Sequence, residues 1–149
     1  MGQRRKAREM AVQTLYALDF CEIDPDFREY SLLNEYPGVL EQLGEDEHVP
    51  SDTPVYAFAD ELIKNTIINL EDIETEINKH SQNWPCESIA QLDRGILHLA
   101  VYELMFTGTP APVIINEALE IAKKYCSENT GKLINGILDA IHKDTPQSK

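Results

Sequence analysis

Apolar residues in this chain recur at three- and four-residue steps almost from end to end, and sustained period-two alternation occurs nowhere. The apolar surface can therefore be buried only by packing helices together. Over 4–20 the stripe is Ala7, Ala11, Leu15 and Leu18, with Thr14 beside it. A weaker helix is expected over 27–43, interrupted by Pro37-Gly38. Residues 44–54 (GEDEHVPSDTP) have the composition of a solvated loop. The spacing then predicts one long helix over about 54–80, with Pro54 in its first turn. Its inward residues are Ala59, Leu62, Thr66, Leu70, Ile73 and Ile77, and Ile63 and Ile67 widen the stripe. Trp84-Pro85 ends the following connection. Ser88 to Phe106 is helical, with Ile89, Leu92, Ile96, Leu99 and Ala100 inward and Asp93 able to cap a break. After the turn Thr107–Pro110, Pro112 opens a helix to about Tyr125 on Ile115, Ala118, Leu119 and Ala122. A last helix over 130–142 uses Ile134, Ile137, Leu138 and Ile141. The expected fold is all-α: a compact bundle of about seven helices in one domain. Two packed sub-bundles are expected within it, about 1–80 and 81–145.

Charge divides this chain more sharply than hydropathy does. Of thirteen basic residues, four (Arg4, Arg5, Lys6 and Arg8) fall in the first eight positions, yet the whole chain carries −13. Residues 21–61 hold twelve acids against Arg28 alone, the pattern of a solvated acidic face. A polyanion could approach such a chain only at its basic start, because phosphates need clustered Lys and Arg to displace their counterions. A frayed, solvated helix start is the plainer reading of the same run. No stretch of about 18 apolar residues is present, so no membrane span is expected. The basic start lacks the apolar block of a secretory signal, and the cytoplasm is the expected location.

Cys21, Cys86 and Cys126 are odd in number and far apart, which argues against a disulfide framework. His48, His80, His98 and His142 show no zinc-ligand spacing. Neither a metal nor a cofactor is expected. No phosphate-cradling glycine loop and no nucleophile elbow occurs. Asp93-Arg94 are adjacent, so on a helix they point about 100° apart and do not converge on one substrate atom. No enzyme activity is expected.

Four strings carry a family resemblance: RRKAREMAVQTLY (4–16), DRGILHLAVYEL (93–104), VIINEALEIAKKYC (113–126) and KLINGILD (132–139). In this order and spacing they closely resemble the NusB family of bacterial transcription antitermination factors. The resemblance covers both ends and most of the C-terminal half; residues 21–87 share only helical character. It implies a non-enzymatic protein that binds boxA RNA of ribosomal RNA leaders jointly with the ribosomal protein NusE. The complex then acts with other Nus factors on RNA polymerase.

The resemblance gives Arg4, Arg5, Lys6, Arg8 and Tyr16 an RNA-binding role. On an ideal helix Arg5 and Tyr16 lie within about 20° of each other, three turns apart, which offers cations for phosphate and a ring for a base. Core packing is the alternative for Tyr16. A second RNA-binding element is Asn129, Thr130, Lys132 and Leu133, where Asn129 or Thr130 can cap the last helix and its free amides can seat a phosphate. Many relatives have an aromatic residue where Leu133 stands, so one stacking contact is expected to be missing. The resemblance makes Glu87 and Asp93 acidic contacts to NusE; a solvated role and a helix cap are their plain alternatives. Asn116 and Glu117 are expected to be structural, and Gly136 to mark a close helix contact. Two rival functions remain. One is the RNA-targeting domain of a ribosomal RNA methyltransferase, disfavoured by a chain that ends at Lys149 in a polar tail. The other is an acidic protein-interaction adaptor without RNA binding.

Overall fold

Among the described residues, 2–80 and 91–144, the computed structural model forms seven α-helices, one short 3-10 turn and no strand. The helices are α1 (Gly2–Leu18), α2 (Arg28–Asp46), α3 (Pro54–Ile68), α4 (Leu70–Lys79), α5 (Gln91–Phe106), α6 (Ala111–Tyr125) and α7 (Glu128–Asp144), with the 3-10 turn at Pro25–Phe27. They fall into two compact units, Met1–Ile68 and Asn69–Lys149.

In the first unit α1 packs on α2 and α3, which also pack on each other. Six consecutive residues of α1, from Ala7 to Val12, are buried, so this stretch is enclosed on every face rather than along one stripe. Met10 and Val12 therefore join the core beside Ala7, Ala11, Thr14 and Leu18, whereas Leu15, expected inward, is only half-buried. Contrary to expectation, α2 runs unbroken through Pro37. Pro37 is exposed while Tyr36 and Leu40 are buried. The lost amide thus falls on the solvent face, where water can serve the carbonyl left unpaired.

The expected loop at 44–54 is also shorter than its composition suggests, because α2 continues to Asp46. Gly44 is buried in its last turn. A Cβ there would stand 2.9 Å from Tyr56 Cε2 and 2.9 Å from the Val49 carbonyl oxygen, so only glycine lets the chain turn back this tightly. The helix ends in a Schellman pattern: the Val49 amide donates to the Gly44 carbonyl (2.8 Å) and the His48 amide to the Glu45 carbonyl (3.3 Å). His48 holds the left-handed position that glycine usually fills, with φ 59°. Thr53 then caps α3, accepting from the Tyr56 amide at 3.3 Å, and Pro54 opens it as expected.

The helix expected over 54–80 is two helices. Asn69, at φ −101° and ψ 14°, leaves helical geometry for one residue, yet its carbonyl still accepts from the Ile73 amide at 3.0 Å. The break removes no residue from the apolar rhythm, and Ala59, Leu62, Ile63, Ile67, Leu70, Ile73 and Ile77 are all buried as expected.

In the second unit α5 packs against α4, α6 and α7, α6 packs on α7, and α4 touches α7. Every residue of α5 from Gly95 to Glu103 is buried, which makes it the counterpart of α1. On α6 the buried face is Ile114, Ala118, Ile121 and Ala122 with Glu117; Ile115 and Leu119 are half-buried, so the stripe is rotated from the expected one. The helix α7 starts at Glu128, before the expected Thr130, and Ile134, Ile137, Leu138 and Ile141 form its buried side. Gly136 marks no close contact: it is exposed, and a Cβ there would meet nothing within 4 Å.

Two substitutions at the α2–α3 corner should move stability in opposite directions, as read by urea denaturation. His48→Gly relieves the left-handed backbone and should stabilise by about 1 kcal/mol. Gly44→Ala drives a methyl group into a backbone oxygen and should destabilise by about 1–3 kcal/mol.

Candidate nucleic-acid interface

The basic start of α1 is arranged against helix stability. Its first turn holds no acidic residue and faces the positive end of the helix dipole, where clustered cations are unfavourable by about 0.3–1 kcal/mol each. What offsets this is Phe58 on α3. The Arg4 guanidinium lies 4.5 Å from the Phe58 ring centre and that of Arg8 5.6 Å away, so one ring steadies two cations.

The four cations do not stand equally open. Arg4 is exposed and Arg5 half-buried. Arg8 is only 4% exposed, its stem packed into the unit with its charge against Phe58. Lys6 forms a salt bridge with Glu47 at the end of α2. Tyr16, near the other end of α1, is 38% exposed and meets Phe20 edge to face with ring centres 5.1 Å apart. Phe20 is 64% exposed, a functional candidate that the reading of the sequence missed. Its signal was available, because aromatic residues four apart on a helix touch.

In the second unit the start of α7 lies against α5. The Thr130 hydroxyl, buried, donates to Asp93 Oδ2 at 3.0 Å, and the Ser127 and Thr130 hydroxyls are 3.3 Å apart. Thr130 therefore lies inside the first turn and anchors it, while Asn129 and Lys132 are exposed and Leu133 is half-buried. These residues line one cavity of about 670 Å³ together with Asp93 and His80. Asp93, expected on a face for a protein partner, and the residues expected to meet RNA thus share one concavity. Glu87 lies outside the described residues. Asn116 is exposed and Glu117 buried.

Burial and Asp93 together set the chemistry of Cys126. Burial, reinforced by a hydrogen bond to the Asp93 carboxylate and by its charge, pushes the thiol up to about 12. Cys126 accordingly stays protonated at neutral pH and is a weak nucleophile. Among the described residues, no helix is long and apolar enough to cross a membrane.

Comparison with known proteins decides the family. The NusB family model matches residues 5–143. The chain belongs to the NusB family. It is 35% identical to the transcription antitermination protein NusB of Solibacter usitatus, over 99% of this chain and 93% of that one. With its counterpart in Geobacter sulfurreducens it shares 38% identity over 98% of both. Among solved structures, a complex of antitermination factors NusB and NusE with dsRNA matches with TM-score 0.80 at 26% identity, covering 97% of this chain and 98% of that one. T. maritima NusB matches with TM-score 0.77 at 34% identity, over 95% and 92% of the two chains. The all-α architecture agrees with these NusB structures.

The Cys126 environment is directly testable. With iodoacetamide at pH 8.5 and mass-spectrometric readout at each cysteine, Cys126 should be labelled far more slowly than an ordinary thiol. Asp93→Asn removes a negative charge that favours the protonated form, so it should lower the thiol's pKa and speed labelling at the same pH.

Proposed function

We propose that this chain is a transcription antitermination factor that binds boxA-type RNA of ribosomal RNA leaders jointly with the ribosomal protein NusE. It would act with other Nus factors on RNA polymerase and catalyse no reaction. The observation that carries this reading is the nearly whole-chain likeness to a NusB whose solved structure contains NusE and dsRNA. The chemistry of the first unit supports it independently. A cationic helix start that works against its own dipole, on a protein of net charge −13, suits a polyanionic ligand, although Phe58 and Glu47 engage part of it within the fold.

On this reading Arg4 and Arg5 serve phosphates, and Tyr16 and Phe20 offer faces to unstacked bases. Lys6 contributes less, because its ammonium already meets Glu47, and Arg8 holds α1 on Phe58 more than it meets RNA. In the second unit Lys132, Asn129 and the first amides of α7 serve RNA, and Leu133 supplies apolar contact without stacking. Asp93 supports this element through Thr130, and Asp93 with Glu87 is the acidic contact for a basic partner such as a ribosomal protein.

A fluorescence titration of labelled boxA RNA, with and without NusE at two salt concentrations, tests the proposal. Binding should be tighter with NusE and should weaken with salt at a slope of about −0.7 per phosphate neutralised. Tyr16→Ala should weaken it by about 1–3 kcal/mol, the value of one base–aromatic stack. Arg4→Glu should cost more affinity than Lys6→Glu. If the complex binds boxA no better than a scrambled strand, the proposal fails. If reversing Arg4, Arg5 and Arg8 leaves binding by folded protein unchanged, the acidic adaptor without an RNA role takes its place.

A further inference from the structure

A histidine and two carboxylates that the sequence keeps far apart meet at one end of the second unit. Glu76 and His80 are four residues apart at the end of α4, so they share one side of it, and Asp144 is the last residue of α7. One potential ligand atom from each lies within 4.8 Å of the other two. His80 Nε2 is 3.3 Å from Asp144 Oδ2, yet this buried nitrogen makes no hydrogen bond among the described residues.

We propose that Glu76, His80 and Asp144 bind a first-row divalent metal ion of the zinc type. Four physical features support this. An imidazole nitrogen with two carboxylates suits zinc, cobalt, nickel or manganese better than magnesium or calcium, which take oxygen ligands. Zinc bonds of about 2.0–2.2 Å to such ligands put neighbouring donors about 3.4 Å apart in a tetrahedron. The His80–Asp144 pair already has that spacing, and a Glu76 oxygen lies within 4.8 Å of both ligand atoms. Two carboxylates and a neutral imidazole carry a charge opposite to that of a divalent ion and equal in size, before Lys79 beside them is counted. The ligands also sit at the C-terminal ends of α4 and α7, where both helix dipoles favour a cation.

Lys79 is the group that competes for this position. Its ammonium holds Glu76 Oε1 at 2.8 Å, but Lys79 is exposed and the second carboxylate oxygen remains for the metal. A bound ion would fasten the end of α4 to the end of α7. Because His80 also lines the cavity beside Asp93 and Lys132, it would fix one wall of that cavity as well. The sequence suggested no such site, since its third ligand comes from a helix 64 positions further along than His80. The proposal does not depend on the antitermination reading.

Titration of the whole protein with zinc chloride by calorimetry, and with cobalt chloride by visible absorption, tests it. One equivalent should bind and raise the midpoint of thermal unfolding. The cobalt spectrum should lack a thiolate charge-transfer band, which separates this site from the cysteines. Asp144→Asn, an exposed change at a helix end that leaves folding intact, and His80→Gln should each weaken binding by at least the roughly 10–100-fold associated with losing even an outer-shell partner. His48→Gln should leave it unchanged. No zinc binding, a thiolate band, or undiminished affinity in either ligand variant overturns the proposal.

Discussion

Enclosure of α1 along Ala7–Val12 governs what the first unit can do. A helix packed on all sides there has no free middle with which to meet a ligand, so its chemistry is pushed to its ends. Arg4 and Arg5 stand at one end, Tyr16 and Phe20 at the other, separated along the axis by about 1.5 Å per residue. That length suits an extended strand better than a compact ligand. The same packing explains why Arg8 and Glu9 are buried although they are charged: their positions are dictated by the helix they belong to.

The second unit solves a related problem at the start of α7. A helix N-terminus presents unpaired amides, and a carboxylate nearby is favourable to it. Asp93 fills that role through Thr130 and reinforces the burial that keeps Cys126 a thiol. One residue of α5 thereby fixes the orientation of the turn that carries Asn129, Lys132 and Leu133. Asp93 lies inside the first turn of α5 and caps no break there; it is an anchor for α7 and an acidic group on the cavity wall.

Much of the architecture was legible because a three-to-four rhythm reports helices directly. The rhythm was silent where geometry changed without disturbing it. Asn69 breaks a helix in phase, and Pro37 continues one because its missing amide faces water. The stripe on α6 was misplaced because VIINEALEIA offers apolar residues on two overlapping faces, and only packing selects between them. Within the candidate interface, residue types were visible but their commitments were not. That Lys6 turns to Glu47 and that Thr130 turns inward to Asp93 depends on residues 41 and 37 positions away. Phe20 was overlooked because, although inside the segment 4–20 expected to be helical, it lies off that segment's apolar stripe.

The acidic stretch has a consequence of its own. Ten of the twelve acids in residues 21–61 are exposed, on the same unit that displays Arg4. On the proposed function, a nucleic acid drifting toward this unit would be repelled by the acids and drawn to the basic helix start. Such sorting would act before contact, within a screening length of about 8 Å at physiological salt. Added salt relaxes both the attraction and the repulsion. Ionic strength would therefore alter how selectively the unit is approached as well as how tightly it would hold such a ligand.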